Sequence, residues 1–435
     1  MVSNLNRMIT RSRKRHLYAS IVSCVAIVAC TLVSPTLVSQ TADAADWPQL
    51  LGPNRDGVSA ERLPNTLGKL KPKWEHQVGA GFAGPAVVDG NVIVFHRIDD
   101  EIVIESLDAK SGKQRWEYRD ATKFTGGVNP DNGPRCVPVV ANGRVFAFGS
   151  DGDLHCVQLD SGKKIWKRRL KVDYRAPDGF FGAGATPVAF GDRVFICLGG
   201  RMGASVVALN AETGETLWTK GNDRVSYASP VATKFAGKNQ VLFLAELRLF
   251  SLDPESGDEL WAVPFGKRGQ TVTACSPLVF DNKVFLSASY YIGASMLDLK
   301  TGKPKTIWGD DKTLSSQYTN IVQSKGYLYG THGREDVGVA ELRCVDASNG
   351  KVKWTKPGFG VCHMILGGDK LLIHRVQEGE LVLAEATSKA FKELDRVQVT
   401  SDQLKAIPAM SGGSLFLRTN GGGGKLLCLP LPKSE

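Results

Sequence analysis

Leu107-Asp108-Ala109-Lys110-Ser111-Gly112-Lys113-Gln114-Arg115-Trp116 is the stretch on which the reading of this chain turns. The aliphatic residue closes one strand, Ser-Gly makes a turn whose positive φ suits glycine, and the tryptophan opens the next strand. The same order recurs at Leu209-Asn210 to Trp218, Leu252-Asp253 to Trp261 and Val345-Asp346 to Trp354. A fifth copy runs from Val157 through Ser161-Gly162 to Trp166, and a sixth, Leu297-Asp298 with Thr301-Gly302, carries its tryptophan late, at Trp308. One amphipathic hairpin cannot enclose an indole, so the units must stack on their neighbours.

Working outward, each copy is preceded by Pro, an apolar run, a polar turn and a second apolar run. These pieces start at Pro85, Pro138, Pro187, Pro230, Pro277 and Pro408, with Asn320 and Met364 in the two remaining places. Consecutive starts are 53, 49, 43, 47, 43, 44 and 44 residues apart. A period in the forties with four strands per unit is propeller spacing. The seventh unit is weak, with Ala384-Glu385-Ala386-Thr387-Ser388 and Phe391 in place of the glycine turn and tryptophan. Trp74 precedes the first unit without strands of its own, whereas Ser414–Arg418 and Lys425–Leu429 lack an outer strand. The expected fold is therefore all-β, an eight-bladed propeller whose N- and C-terminal strands share the last blade and close the ring.

The repeat resembles that of the pyrroloquinoline-quinone-type propellers, over nearly all of residues 69–430. Two branches of that family share the scaffold: quinone-dependent alcohol and sugar dehydrogenases, and non-catalytic propellers similar to the outer-membrane-protein assembly lipoprotein. The segment Asp46-Trp47-Pro48-Gln49 with Gly52-Pro53-Asn54-Arg55-Asp56-Gly57-Val58 resembles a leader found before such propellers in exported proteins.

Arg11, Arg13, Lys14 and Arg15 precede an apolar run from Leu17 to Val38 and then Ala42-Asp43-Ala44, the layout of an export signal. The expected organisation is a signal over 1–44, a leader over 45–68 and the propeller over 69–435, in the periplasm or secreted. Ile27-Val28-Ala29-Cys30 resembles a lipobox, which makes a lipidated or uncleaved N-terminus the one expected route to a membrane. Cutting after Ala44 removes five Lys/Arg and one Asp, so the net charge falls from +10 to +6. That residue charge is spread through the repeats, which argues against nucleic acid as a partner. The seven remaining cysteines are odd in number and irregular in spacing, unlike a disulfide framework.

For the dehydrogenase branch, the resemblance implies pyrroloquinoline quinone with calcium. Its markers are missing: no two cysteines are adjacent, and Cys362-His363 lacks the first cysteine of a haem motif. Asn129, Asp131 and Asp178 could ligate a hard cation but show no ligand spacing, and no catalytic or metal residue is assigned. Equivalent positions of eight blades form rings. Three residues before each start stand Phe82, Arg135, Gly184, Tyr227, Ala274, Gln317, Val361 and Lys405. One residue before stand Gly84, Val137, Thr186, Ser229, Ser276, Thr319, His363 and Ile407. Positions two apart share one side of an extended chain, so both rings should line one mouth. Arg135, Tyr227, Gln317, His363 and Lys405 are its large polar members, and the expected guest is a small anionic ligand. The sequence thus points to a monomeric, non-catalytic binding or scaffold protein with a cell-envelope protein partner, the alternative being a quinoprotein dehydrogenase acting on an alcohol or sugar.

Overall fold

The computed structural model describes residues 45–269, 271–420 and 423–433; the predicted export signal, Cys30 included, lies outside the described residues. Eight sheets follow one another along the chain. Blade 1 is built from Ala86–Val88, Asn91–Ile98, Glu101–Asp108 and Gln114–Ala121. Blade 2 holds Val139–Ala141, Arg144–Phe148, Leu154–Gln158 and Lys164–Arg168, and blade 3 Val188–Phe190, Arg193–Cys197, Val206–Asn210 and Thr216–Lys220. Blade 4 (Val231–Phe235 to Glu259–Pro264), blade 5 (Leu278–Phe280 to Lys305–Asp310) and blade 6 (Val322–Ser324 to Val352–Lys356) repeat the pattern. Blade 7 runs from Cys362–Gly367 to Glu393–Gln398. Blade 8 takes Ala409–Ser411, Ser414–Arg418 and Lys425–Pro430 from the C-terminal end and Trp74–Gln77 as its outer strand. The chain is an eight-bladed β-propeller closed by strands from its two ends. The four strands of each repeat unit are antiparallel, so second-to-third-strand loops and blade-to-blade crossings share one face, the loop face, and the tight turns share the other.

The repeated glycine and tryptophan meet across blades rather than within one. Trp74, Trp116, Trp166, Trp218 and Trp308 each donate Nε1–H to a carbonyl in the next blade's turn, at 2.8–3.2 Å. Their rings cover Gly112, Gly162, Gly214, Gly257 and Gly350, where an added Cβ would lie under 3.0 Å from the indole. Glycine is required there twice over, for its positive φ and for the space the neighbour's ring occupies. Blades 1 to 7 each carry a bulge beside this position, as between Ser106 and Leu107, and in blades 1 to 6 the tryptophan directly follows the bulged residue. Blade 5 departs from the rule. Its Gly302 closes a tighter turn onto Leu299, and Trp261 of blade 4 bonds Gln240 instead. In blade 7, Trp354 bonds the Thr387 carbonyl and packs 5.7 Å from Phe391. All seven cysteines of the described residues are buried free thiols.

Residues 45–68 are woven into the turn face. Trp47 pairs with Val87 of blade 1, the Pro48 carbonyl accepts Val140 N–H of blade 2, and Val58–Ser59 adds a parallel fifth strand to blade 7. The Glu61 carboxylate accepts the Gly412 and Gly413 N–H groups in blade 8. Between these anchors Arg55 enters the axis and is 3% exposed. It donates to the Pro230 carbonyl at 2.8 Å, to the Thr186 and Pro187 carbonyls, and to Gln49 at 2.9 Å. Among the described residues no carboxylate pairs with it, and burial lowers its pKa to about 9.

Ring closure has its own polar clasp. Arg418 of blade 8, wholly buried, donates to the Gly79, Ala83 and Phe95 carbonyls at 2.9–3.0 Å. Glu105 of blade 1 accepts from His76 of blade 8 at 3.0 Å and from His96 at 2.9 Å. His96 Nδ1 accepts Gly79 N–H, so this ring is neutral and burial depresses its pKa. Bonding to Glu105 raises the pKa of His76, and the two imidazoles, working against burial, hold Glu105 at about 2. The signs follow by linkage. The Glu105 contribution is present above its ordinary 4.5 and is lost as pH falls toward 2; the His76 contribution is full below 6.5 and is lost as pH rises through its raised folded value. Glu105→Gln should therefore lower the melting temperature most between those ordinary values, with the deficit shrinking on either side. The Glu105 shift corresponds to roughly 3 kcal/mol. A deficit independent of pH from 3 to 8, read by thermal denaturation, would refute the clasp.

Candidate functional site

The segments that lead into the inner strands run from the loop face toward the axis, and their side chains wall a cavity of about 450 Å³. Phe82, Arg135, Gly184, Tyr227, Ala274, Gln317 and Lys405 of the first ring stand in this wall, as do Val137, Thr186, Ser229, Ser276, His363 and Ile407 of the second. All five polar residues singled out from the sequence are thus brought together. Val361, Gly84 and Thr319 are not in the wall. Val361 packs against Ala340 and Val376, and the Gly84 Cα faces the Ile407 carbonyl too closely to carry a side chain. Thr319 is turned away because Ser316 bonds its carbonyl at 2.9 Å, which brings Tyr318 and Asn320 to the wall instead. Leu50 and Leu51 of the leader join Val137 and Ile407 in an apolar cluster at the base. With Arg55 stapled beyond them, the channel is a cup open on the loop face.

Ring periodicity located these side chains but could not say what they are bonded to. Arg135 donates to the Asp131 carbonyl at 2.6 Å and to the Gly133 carbonyl, lies 3.6 Å from the Asp131 carboxylate, and stacks 5.6 Å from both Phe82 and Phe124. Lys405 sits 3.2 Å from Glu335 and covers the other approach to Phe82. Gln317 donates to Tyr290 and Asp336 and accepts Glu335 N–H. The Tyr227 hydroxyl accepts the N–H groups of Phe180 and Phe181 at 2.8 and 3.0 Å, pinning the crossing between blades 2 and 3. The inner hydroxyls stitch blade to blade: Val137 N–H donates to Thr186, Thr186 N–H to Ser229 and Ser229 N–H to Ser276. Asn320 performs the same stitch onto blade 7, donating to the Met364 carbonyl and accepting its N–H.

His363 differs from the rest. It is 1% exposed, and among the described residues neither ring nitrogen makes a hydrogen bond of normal geometry, the Lys405 backbone being a polar neighbour. Its ring lies 5.9 Å from Tyr318 and 5.3 Å from His374. Burial, then the neighbouring His374, drive its pKa well down, so the imidazole is neutral.

Pyrroloquinoline quinone and calcium do not fit these residues. A tricarboxylate needs surplus cations, and Arg135 and Lys405 already have Asp131 and Glu335 as counter-charges. A calcium ion needs six or so oxygens. The wall's carboxylates, Glu335 and Asp336, are held by Lys405, Tyr318, Arg334 and Gln317, and the amide oxygens of Asn129, Gln317 and Asn320 each already accept one backbone N–H. Asp178 lines a neighbouring cavity of about 640 Å³ that shares Gly184 and Tyr227 with the cup, and there it is paired with Lys171. Among the described residues, no three His, Cys, Asp or Glu side chains are grouped to hold a metal ion.

Comparisons with known proteins divide along the same two branches. A family model described as outer membrane protein assembly factor BamB matches residues 121–356. The outer membrane protein assembly factor BamB of Burkholderia pseudomallei is 25% identical over 304 residues, 59% of this chain and 74% of that protein. A quinoprotein ethanol dehydrogenase of Pseudomonas aeruginosa is 29% identical over 241 residues, 48% of this chain but only 38% of the enzyme. Among solved structures, BamB from Moraxella catarrhalis aligns with a TM-score of 0.64 at 15% identity, over 85% of this chain and 99% of that one. A europium-containing methanol dehydrogenase aligns with a TM-score of 0.66 at 13% identity, over 89% and 98%.

Proposed function

The chain belongs to the outer membrane protein assembly factor BamB family, whose model covers more than half of it, and from that premise we propose that it is a non-catalytic binding propeller of the cell envelope. Its loop face is the docking surface for an envelope protein partner.

One observation carries the reading. Of the eleven exposed large hydrophobic residues described, eight stand on the loop face: Ile98, Val128, Val172, Phe180, Met202, Tyr291, Val337 and Val339. The other three, Ile165, Leu217 and Ile307, are the bulge residues beside the blade tryptophans. A concentration of exposed apolar side chains on one face favours that face as the one that meets a partner. The opposite face is covered at its centre by the leader and edged with charged turns such as Asp108-Ala109-Lys110. A plugged channel whose charged groups are already paired with one another suits a scaffold better than a quinone enzyme.

Photoreactive side chains placed at Met202, Tyr291 or Val339 of the full chain, with Lys113 on the turn face as control, test this in envelope preparations. The expected result is one discrete protein adduct from the loop face and none from position 113. Equal labelling from both faces, or none, would sink the proposal. The dehydrogenase alternative predicts saturable quenching by pyrroloquinoline quinone with Ca²⁺ and dye-linked oxidation of alcohols or sugars. We expect neither, and turnover lost in Arg135→Ala would replace the scaffold reading with an enzyme.

A further inference from the structure

The polar groups of the cup are unequally used. Its acceptors are occupied: Glu335 by Lys405 and Tyr318, Asp336 by Arg334 and Gln317, and the amide oxygens by backbone N–H groups. Its hydroxyls are not. Tyr227, Ser229, Ser276 and Tyr290 each accept a hydrogen bond, and none donates to a protein group among the described residues. The cup therefore presents a row of neutral O–H donors above an apolar base. In addition, buried His363, which stands in the wall, has one N–H and one lone pair that make no hydrogen bond of normal geometry among the described residues. An unmatched buried pair of this kind is a standing cost unless a guest meets it.

A peptide unit carries one acceptor and one donor and no charge, which is the complement of this set. A carboxylate would meet the hydroxyls but not the imidazole lone pair; an ammonium would meet the lone pair but not the hydroxyls. The wall cations and anions already balance in pairs, so no net field favours a charged guest. Because Leu50, Leu51, Val137 and Ile407 close the base, the guest enters from the loop face and stops there.

We infer that the cup takes an uncharged, apolar stretch of polypeptide from the docked partner, its carbonyls accepting from Tyr227, Ser229, Ser276 and Tyr290 and one of its peptide units pairing with His363. This rests on the docking reading above and adds to it the chemistry of what is inserted.

The test is calorimetric titration of the full chain with the capped peptide acetyl-Ser-Leu-Ala-Phe-Ser-amide, and with versions carrying Asp or Lys in place of Ala. The uncharged peptide should bind saturably and each charged version at least tenfold more weakly. His363→Leu should lose at least tenfold in affinity while melting no lower than the parent, since it removes two unmatched buried atoms; an imidazole serving only the fold would instead lower the melting point. Ser276→Ala, should His363→Leu fail to fold, is expected to weaken the peptide similarly. No binding by the uncharged peptide, preference for the Asp version, binding unchanged in both variants, or equal binding of N-acetyl-leucine amide would overturn the inference. Loop-face crosslinking that persists while the peptide fails would leave the docking reading standing and remove only this step; loss of both would remove the two together.

Discussion

Trp166→Ala is expected to destabilise the ring by about 3 to 5 kcal/mol, the range for truncating a buried aromatic. The indole is 9% exposed, tilted against Phe146 at 5.9 Å, bonded to the Ala211 carbonyl at 3.2 Å, and laid over Gly214 of the next blade. Its removal opens a cavity between blades 2 and 3 and leaves a turn carbonyl without its donor. Gly214→Val attacks the same contact from the other side, because a Cβ there would lie 2.7 Å from the indole at a φ of +72°. Overpacking and backbone strain should together cost roughly 2 to 4 kcal/mol. The two residues touch, so their effects should not add: with the indole gone, the valine has room, and the double variant should be more stable than the sum of the singles. Urea unfolding midpoints of the four proteins decide the matter. Strict additivity, or a Trp166→Ala midpoint equal to the parent's, would show that the repeat does not work as a blade-to-blade connector. Trp218, only half-buried, should lose less when truncated.

Arg55→Met is the second change with a large expected effect, and its cause lies in the prolines that open the inner strands. Proline has no N–H, and the carbonyls around it point toward the axis with no ladder partner. In blades 3 and 4 the Thr186, Pro187 and Pro230 carbonyls are met by the single guanidinium of Arg55. Methionine keeps the bulk and removes every donor. Orphaning three buried acceptors at about 1 kcal/mol or more each predicts a loss of roughly 3 kcal/mol, concentrated in the leader rather than in the blades. Trypsin cleavage near Arg62 should accelerate at least tenfold under native conditions while the blade core stays resistant. Unchanged cleavage and an unchanged midpoint would mean that the plug is held by Trp47 and the Val58–Ser59 strand alone.

Much of this architecture was legible in the sequence because it is written repeatedly. Glycine turns, tryptophans and inner prolines recur with a period near 44, and the two incomplete ends fit only if Trp74 joins the C-terminal strands. The same periodicity placed Arg135, Tyr227, Gln317, His363 and Lys405 around one cavity. It could not show that Arg135 and Lys405 are already paired, or that the Tyr227 hydroxyl accepts from Phe180 and Phe181, because those partners sit in crossings and loops that differ from blade to blade. Asn320 takes the place that proline holds in other blades, and its amide makes a two-way stitch to Met364 that no hydropathy pattern encodes.

The residues by themselves determined that hairpins form, where they turn, how many there are and that they must close on one another; each depends on local conformational preference and on an indole too large for one hairpin to bury. Tertiary structure alone decided that five of the blade tryptophans cover the glycine of the following blade, that Arg55 closes the channel floor, and that His363 makes no hydrogen bond of normal geometry among the described residues. Those outcomes join groups far apart in the chain, such as Arg55 and Pro230. They occur once, so no repetition exposes them, and they are settled by which buried carbonyl, N–H or ring nitrogen finds a mate after the eight blades have met.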